Sequence, residues 1–160
     1  MAVDMFIKLG DIKGESKDDT HKDEIDVLAW SWGMSQSGSW SVGGGGGAGK
    51  VNVQALSLTK FIDASSASLM THCCNGEHIK EGTLVVRKAG GKKPLEYVKI
   101  TMKKILVTSV STGGSGGEDR LTENVTLDFA HVKLDYFEQK DDGSGAPAKT
   151  LTWDIEKNVQ

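Results

Sequence analysis

Two cysteines and two prolines are all that a chain of 160 residues holds of either type. Cys73 and Cys74 are sequence neighbours, a poor geometry for bridging each other, and no further cysteine exists. A disulfide framework is therefore excluded, and reduced, partly buried thiols are the expected state. A chain of this length buries roughly 70% of its unfolded surface, so it folds without staples of any kind. An excess of positive charge is also missing. The formal net charge is −3 and the pI about 5.8, which leaves no electrostatic footprint for nucleic acid. The local cluster Arg87, Lys88, Lys92 and Lys93 flanks Ala89-Gly90-Gly91 and reads as a solvated hairpin tip rather than an anion site. Met1 to Leu9 has neither a basic n-region nor a long apolar h-region. No secretory signal peptide and no membrane span are expected. The chain should be made and folded in the cytoplasm and, if it leaves the cell, do so without a cleaved signal.

Glycine is what the chain has in excess. Five in a row, Gly43, Gly44, Gly45, Gly46 and Gly47, separate two strand-like stretches. Gly44-(x)4-Gly49-Lys50 matches the start of a phosphate-binding P-loop, but Val51 stands where a Ser or Thr must hold Mg²⁺. Such a loop must also open a helix, whose free N–H groups cradle the phosphates. The segment Val51 to Thr59 is instead β-branched and mostly alternating, hence strand. The tract reads as a long hairpin loop reaching out from a sheet, a contact element.

Alternation predicts further strands at Val3–Leu9, Glu24–Trp32 (continuing toward Trp40 past a break near Gly33), His78–Lys88, Glu96–Val110, Leu121–Phe137 and around Leu151, Trp153 and Ile155. In Glu96–Val110 the apolar phase passes from Val98, Ile100 and Met102 to Ile105 and Val107. In Leu121–Phe137 it passes from Val125, Leu127 and Phe129 to Val132, Leu134 and Tyr136. Each reversal predicts a β-bulge, at Lys103-Lys104 and near Ala130-His131. One helix is expected, N-capped by Asp63, running from Ala64 to Cys74 and stopped by Asn75-Gly76, with Ser66, Leu69, Met70 and Cys73 along one stripe. Residues 1–160 are expected to form one domain, mainly β: an antiparallel two-sheet β-barrel with one short flanking α-helix.

The clusters that could carry chemistry are incomplete. His72, Cys73, Cys74 and His78 offer zinc-type ligands, but adjacent helical residues point about 100° apart and do not share a metal easily. A cysteine nucleophile needs a base, and His131 is too remote in sequence to be assigned that role. Glu118-Asp119 and Asp141-Asp142 lack the alternating carboxylates of a calcium loop. No catalytic, cofactor or metal residue is assigned. In Glu24–Trp32, Ile25, Val27 and Ala29 are in phase, while Leu28, Trp30 and Trp32 share the other phase. The small residues either face solvent opposite a Trp-packed core or line a cavity or channel.

Several segments resemble the Hcp (hemolysin-coregulated protein) family, the tube proteins of bacterial type VI secretion. They are Met1-Ala-Val-Asp-Met-Phe-Ile-Lys8, Gly14-Glu15-Ser16, Trp30-Ser31-Trp32-Gly33 with the glycine tract, and the run Ser111 to Leu127. That last, glycine-punctuated run is the most specific, and the match extends over essentially the whole chain. The resemblance implies a two-sheet barrel with a flanking helix. It also implies a homohexamer with a wide central channel, stacked into a tube inside a contractile sheath and capped by a spike protein (VgrG). Such a tube is propelled out of the cell and can carry small effector proteins in its lumen. Transferred to this chain, the resemblance makes Ala29, Ser31 and Gly33 the lumen-lining residues and the loop from Ser37 to Lys50, with its glycines 43–47, the contact to the next ring. It implies no enzyme, no cofactor, no nucleic acid and no membrane insertion. The alternatives are a monomeric barrel binding a small ligand, which needs an interior pocket, and a thiol hydrolase using Cys73 or Cys74.

Overall fold

The computed structural model describes residues 3–38, 47, 49–88 and 93–160. In chain order the elements are β1 (Val3–Leu9), β2 (Ile25–Ser31), β3 (Met34–Ser35), β4 (Asn52–Val53), β5 (Leu56–Phe61), α1 (Ser66–Asn75), β6 (Ile79–Lys88), β7 (Leu95–Thr112), β8 (Thr122–Tyr136) and β9 (Lys149–Asp154). Strands β5-β2-β1-β6-β7-β8 are hydrogen-bonded in that order, and β5 pairs back with β8 to close the barrel; β9 adds to β8 from outside the ring. Every pairing is antiparallel. The expected barrel with one short helix is therefore what the chain adopts.

The two longest strands belong to both sheets. Residues 95–103 of β7 and 131–136 of β8 lie with β1, β6 and β9, and their later or earlier halves lie with β2 and β5. The predicted phase reversals mark this corner. Met102 and Ile105 are buried around an exposed Lys103-Lys104, and Phe129 and Val132 are buried around Ala130-His131. The expected bulges, however, leave the register unshifted, because Lys103 pairs with His131 and Ile105 with Phe129. Both strands reverse at the same level, so neither gains a residue on the other and the pair bends as one. Lys104 takes the strain, with φ +54, and its Nζ lies 2.9 Å from Glu156 Oε2.

True register shifts fall elsewhere. One lies between Val107 and Ser109, and another in β2 between Val27 and Ala29. The second corrects the face expected for β2. Leu28 is the extra residue and stands 40% exposed, so Ala29 leaves the phase of Ile25 and Val27. Trp30 and Trp32 then pack against the same core as those two residues. The expected strand Val51–Thr59 is also divided, into β4 and β5.

The interior is filled by apolar side chains of both sheets, among them Ile7, Ile25, Leu58, Leu84, Ile100, Ile105 and Leu127. Leu69 of α1 is fully buried, and α1 contacts β7. The helix starts later than expected. Its N-cap is Ser65, and Asp63 Oδ1 instead accepts the Ser65 N–H at 2.8 Å and meets Lys60 Nζ at 3.1 Å. Gly76 ends it in the left-handed conformation, φ +69, donating its N–H to His72 O. Of the predicted stripe, Ser66 and Leu69 are buried and Cys73 packs on the core, while Met70 is exposed.

Lys60 is 0% exposed and its cross-strand partner Glu123 1%. The Lys60 ammonium pairs with Glu123 Oε1 and donates to Phe61 O at 2.8 Å and Ser66 Oγ at 3.3 Å. Ser66 Oγ donates to the same carboxylate at 2.6 Å, so the start of α1 is tied to β5 and β8 by one buried network.

A second network holds the loop of residues 10–24. Arg87 donates to both Asp18 oxygens, at 3.1 and 2.5 Å, and to Asp4 Oδ2 at 3.0 Å. His21 stacks on Phe6 and lies 2.6 Å from Glu96 Oε1 and 2.8 Å from Glu24 Oε2. The Arg87 hydrogen bonds hold the Asp18 carboxyl well below its ordinary value of 3.8. A carboxyl with a lowered folded-state pKa adds stability that is present above its unfolded pKa and lost as pH falls toward the folded one. Denaturant melts of the wild type and Asp18→Asn should therefore differ most near neutrality. The gap should narrow as pH falls below about 4, where the unfolded carboxyl takes up its proton. A gap that does not change with pH would show that the pair contributes nothing through ionisation.

Candidate functional site

The outer face of the sheet made by β2, β5, β8 and β7 carries a chemical pattern that its register makes explicit. Ser31 pairs with Ser57, Ser57 with Thr126 and Thr126 with Ser109. One step along, Ala29 pairs with Thr59, Thr59 with Asn124 and Asn124 with Ser111. Cross-strand partners project from the same face, so these two rows form one continuous patch. All eight residues are small and uncharged, and none is buried. Thr59 Oγ1 donates to Asn124 Oδ1 at 2.8 Å, which fixes the orientation of the pair. The alternating partners Trp30, Leu58, Val125 and Val110 point inward onto the core.

Ala29 and Ser31 thus stand exposed on this face, and Gly33 continues it at half exposure, its carbonyl accepting the Gln54 N–H at 2.9 Å. Trp32 Nε1 donates to Gln54 O at 2.9 Å, locking the strand end behind the face. Ser57, Thr59, Asn124, Thr126, Ser109 and Ser111 are additions that sequence reasoning misses. Their signal is present as short polar residues alternating with Leu58, Val125 and Leu127, but only the register shows that they adjoin.

The other sheet presents an opposite surface. Its rows read Lys8, Thr83, Thr101, Lys133, Thr152 and Glu81, Lys103, His131, Asp154. One barrel therefore has a charged flank and, opposite it, two uncharged rows, with the exposed Asp128 following them on β8. Hydroxyls donate and accept freely, and covering them carries no charge-desolvation penalty.

The hairpin arm rises beside this face. Met34 pairs with Val53 and Ser35 with Asn52 at its base. Met34, Val51 and Val53 line a small apolar cavity of about 200 Å³ together with Val132 of β8 and Leu151 and Trp153 of β9. Gly43 to Gly46 of the expected contact loop lie outside the described residues, and Gly47 is exposed.

Cys73 is half-buried and Cys74 exposed, His72 Nδ1 lies 2.8 Å from Ser68 O, and His131 Nδ1 lies 3.5 Å from Asp154 Oδ2. Among the described residues no helix is long and apolar enough to cross a membrane.

Comparison with known proteins agrees with this architecture. The family described as "Type VI secretion system effector, Hcp" matches residues 6–136. The chain is 68% identical to Protein hcp1 of Pseudomonas aeruginosa, over all of this chain and 99% of that one. The solved structure of Hcp1 from Salmonella typhimurium is 39% identical, covers 99% of both chains and superposes with a TM-score of 0.83. A structure described as a type six secretion system protein is 28% identical, covers 98% of both chains and reaches 0.91. With fold and sequence in agreement, the chain belongs to the Hcp family of the type VI secretion system.

Proposed function

We propose that residues 1–160 form one tube-subunit domain that acts by assembly rather than by catalysis. Six copies close into a ring with the face of Ala29, Ser31 and Gly33 turned to the channel. Rings stack through the arm bearing Gly43–Gly47, under a spike protein and inside a contractile sheath. The tube leaves the cell by type VI secretion and carries small effector proteins in its lumen. The observation that supports this reading is the patch of eight uncharged small residues, a surface that touches passing protein without strong adhesion. The alternative, a monomeric ligand-binding barrel, is disfavoured by the apolar side chains that fill the interior.

The test is molar mass by light scattering on the size-exclusion peak, with negative-stain images of the same peak. A mass near six times 17.1 kDa, with rings around a central hole, is expected. A compact monomer under all conditions would overturn the tube reading. In the ring, Ser31→Gln should impair effector retention while assembly persists; unchanged retention would refute the assignment of this face to the lumen.

A further inference from the structure

We propose that His131, Asp154 and Glu156 form a binding site for a borderline divalent cation of the Zn²⁺ class. One ligand atom from each lies within 4.8 Å of the others. One imidazole and two carboxylates are the donor set that suits Zn²⁺ and its neighbours rather than a purely oxygen-seeking ion.

The spacing favours this over an ordinary ion pair. His131 Nδ1 and Asp154 Oδ2 are 3.5 Å apart, longer than the roughly 2.7–2.9 Å of a charge-assisted hydrogen bond. A tetrahedral Zn²⁺ with bonds of about 2.0–2.1 Å holds its ligand atoms about 3.3–3.4 Å from one another, which the pair nearly matches.

The backbone holds this geometry. His131 and Asp154 are direct cross-strand partners. Ile155 N donates to Ala130 O at 2.8 Å, and Asp154 and Val159 exchange backbone hydrogen bonds, closing the turn that carries Glu156. Lys157 N donates to the second Asp154 oxygen at 2.8 Å, leaving Oδ2 aimed at the imidazole. A surface cavity of about 580 Å³ lined by His131 and Asp154 leaves room for water to complete the coordination. Lys103, Lys133 and Lys157 also line that cavity, and the direct competitor is the Lys104 ammonium, 2.9 Å from Glu156 Oε2 and mostly exposed. A cation entering the site displaces it to solvent.

The experiment is calorimetric titration of ZnCl₂ into the chain carrying Cys73→Ser and Cys74→Ser, so that thiolates take no metal. One site per chain is expected. His131→Ala should weaken it by more than the roughly 10–100-fold that losing a mere orienting neighbour gives. Lys104→Ala should tighten it several-fold by removing the competing ammonium. Both variants lie on exposed or half-exposed positions, and circular dichroism checks their folding. Absence of a binding heat, or an affinity unchanged by His131→Ala, would overturn the site.

Discussion

Glu123→Ala is expected to cost about 2–3 kcal/mol, because a fully buried ammonium loses one of its two carboxylate partners and keeps only Asp63. Lys60 is 0% exposed, and its remaining partners would be Asp63, the Phe61 carbonyl and Ser66. Ser66 would also lose the acceptor of its own hydroxyl, loosening the first turn of α1. Against a total stability of about 5–15 kcal/mol for a domain, that loss is a large fraction. The double variant Lys60→Met/Glu123→Leu removes that pair together and should recover part of the loss, since apolar replacement of a buried pair is often neutral or better, while Asp63 loses its lysine. Urea melts of the three proteins decide the matter. If Glu123→Ala costs less than about 1 kcal/mol, the size of an exposed pair, the network is solvated rather than buried.

A charge placed in the middle of the uncharged face should produce the largest functional effect. Thr126 pairs with Ser57 on one side and Ser109 on the other, so Thr126→Arg puts a guanidinium at the centre of the patch. If the face holds protein cargo in a ring lumen, covering that charge without a partner is unfavourable. Retention of a co-expressed effector should fall at least about tenfold, equivalent to about 1.4 kcal/mol. Thermal stability should change little, because the side chain points away from the core. Wild-type retention should also vary little between low and high salt, since the two rows carry no charge to screen. Undiminished retention by Thr126→Arg, or steep salt dependence of the wild type, would remove this face from cargo contact.

The period-two pattern makes most strands legible, and the reversals at Lys103-Lys104 and Ala130-His131 are legible for the same reason. Their meaning is not. Two reversals at the same level cancel in the register, and sequence does not show levels. The extra residue at Leu28 is hidden because a bulge is defined by the partner strand, here Lys60 and Thr59. Lys60 and Glu123 are hidden differently. Each falls in phase with buried neighbours, Leu56 and Leu58 for one, Val125 and Leu127 for the other. A charge in a core phase is ordinarily read as a strand end, and only the pairing of the two strands shows that the charges neutralise each other. Asp63 reads as a helix cap because capping is its commonest use; a lysine three residues earlier claims it instead. Ala29, Ser31 and Gly33 come from a family resemblance, while the six residues that extend their face come from register alone.

The matched bend of β7 and β8 bears on how the barrel transmits force. In a sandwich of independent sheets, a push on one layer reaches the other only through side-chain contact, and the layers can slip. Here two continuous backbones, hydrogen-bonded to each other on both sides of the corner, run from one layer into the other. Shear between layers must therefore distort covalent chain or rupture a ladder, and the domain responds to a thrust as one stiff block.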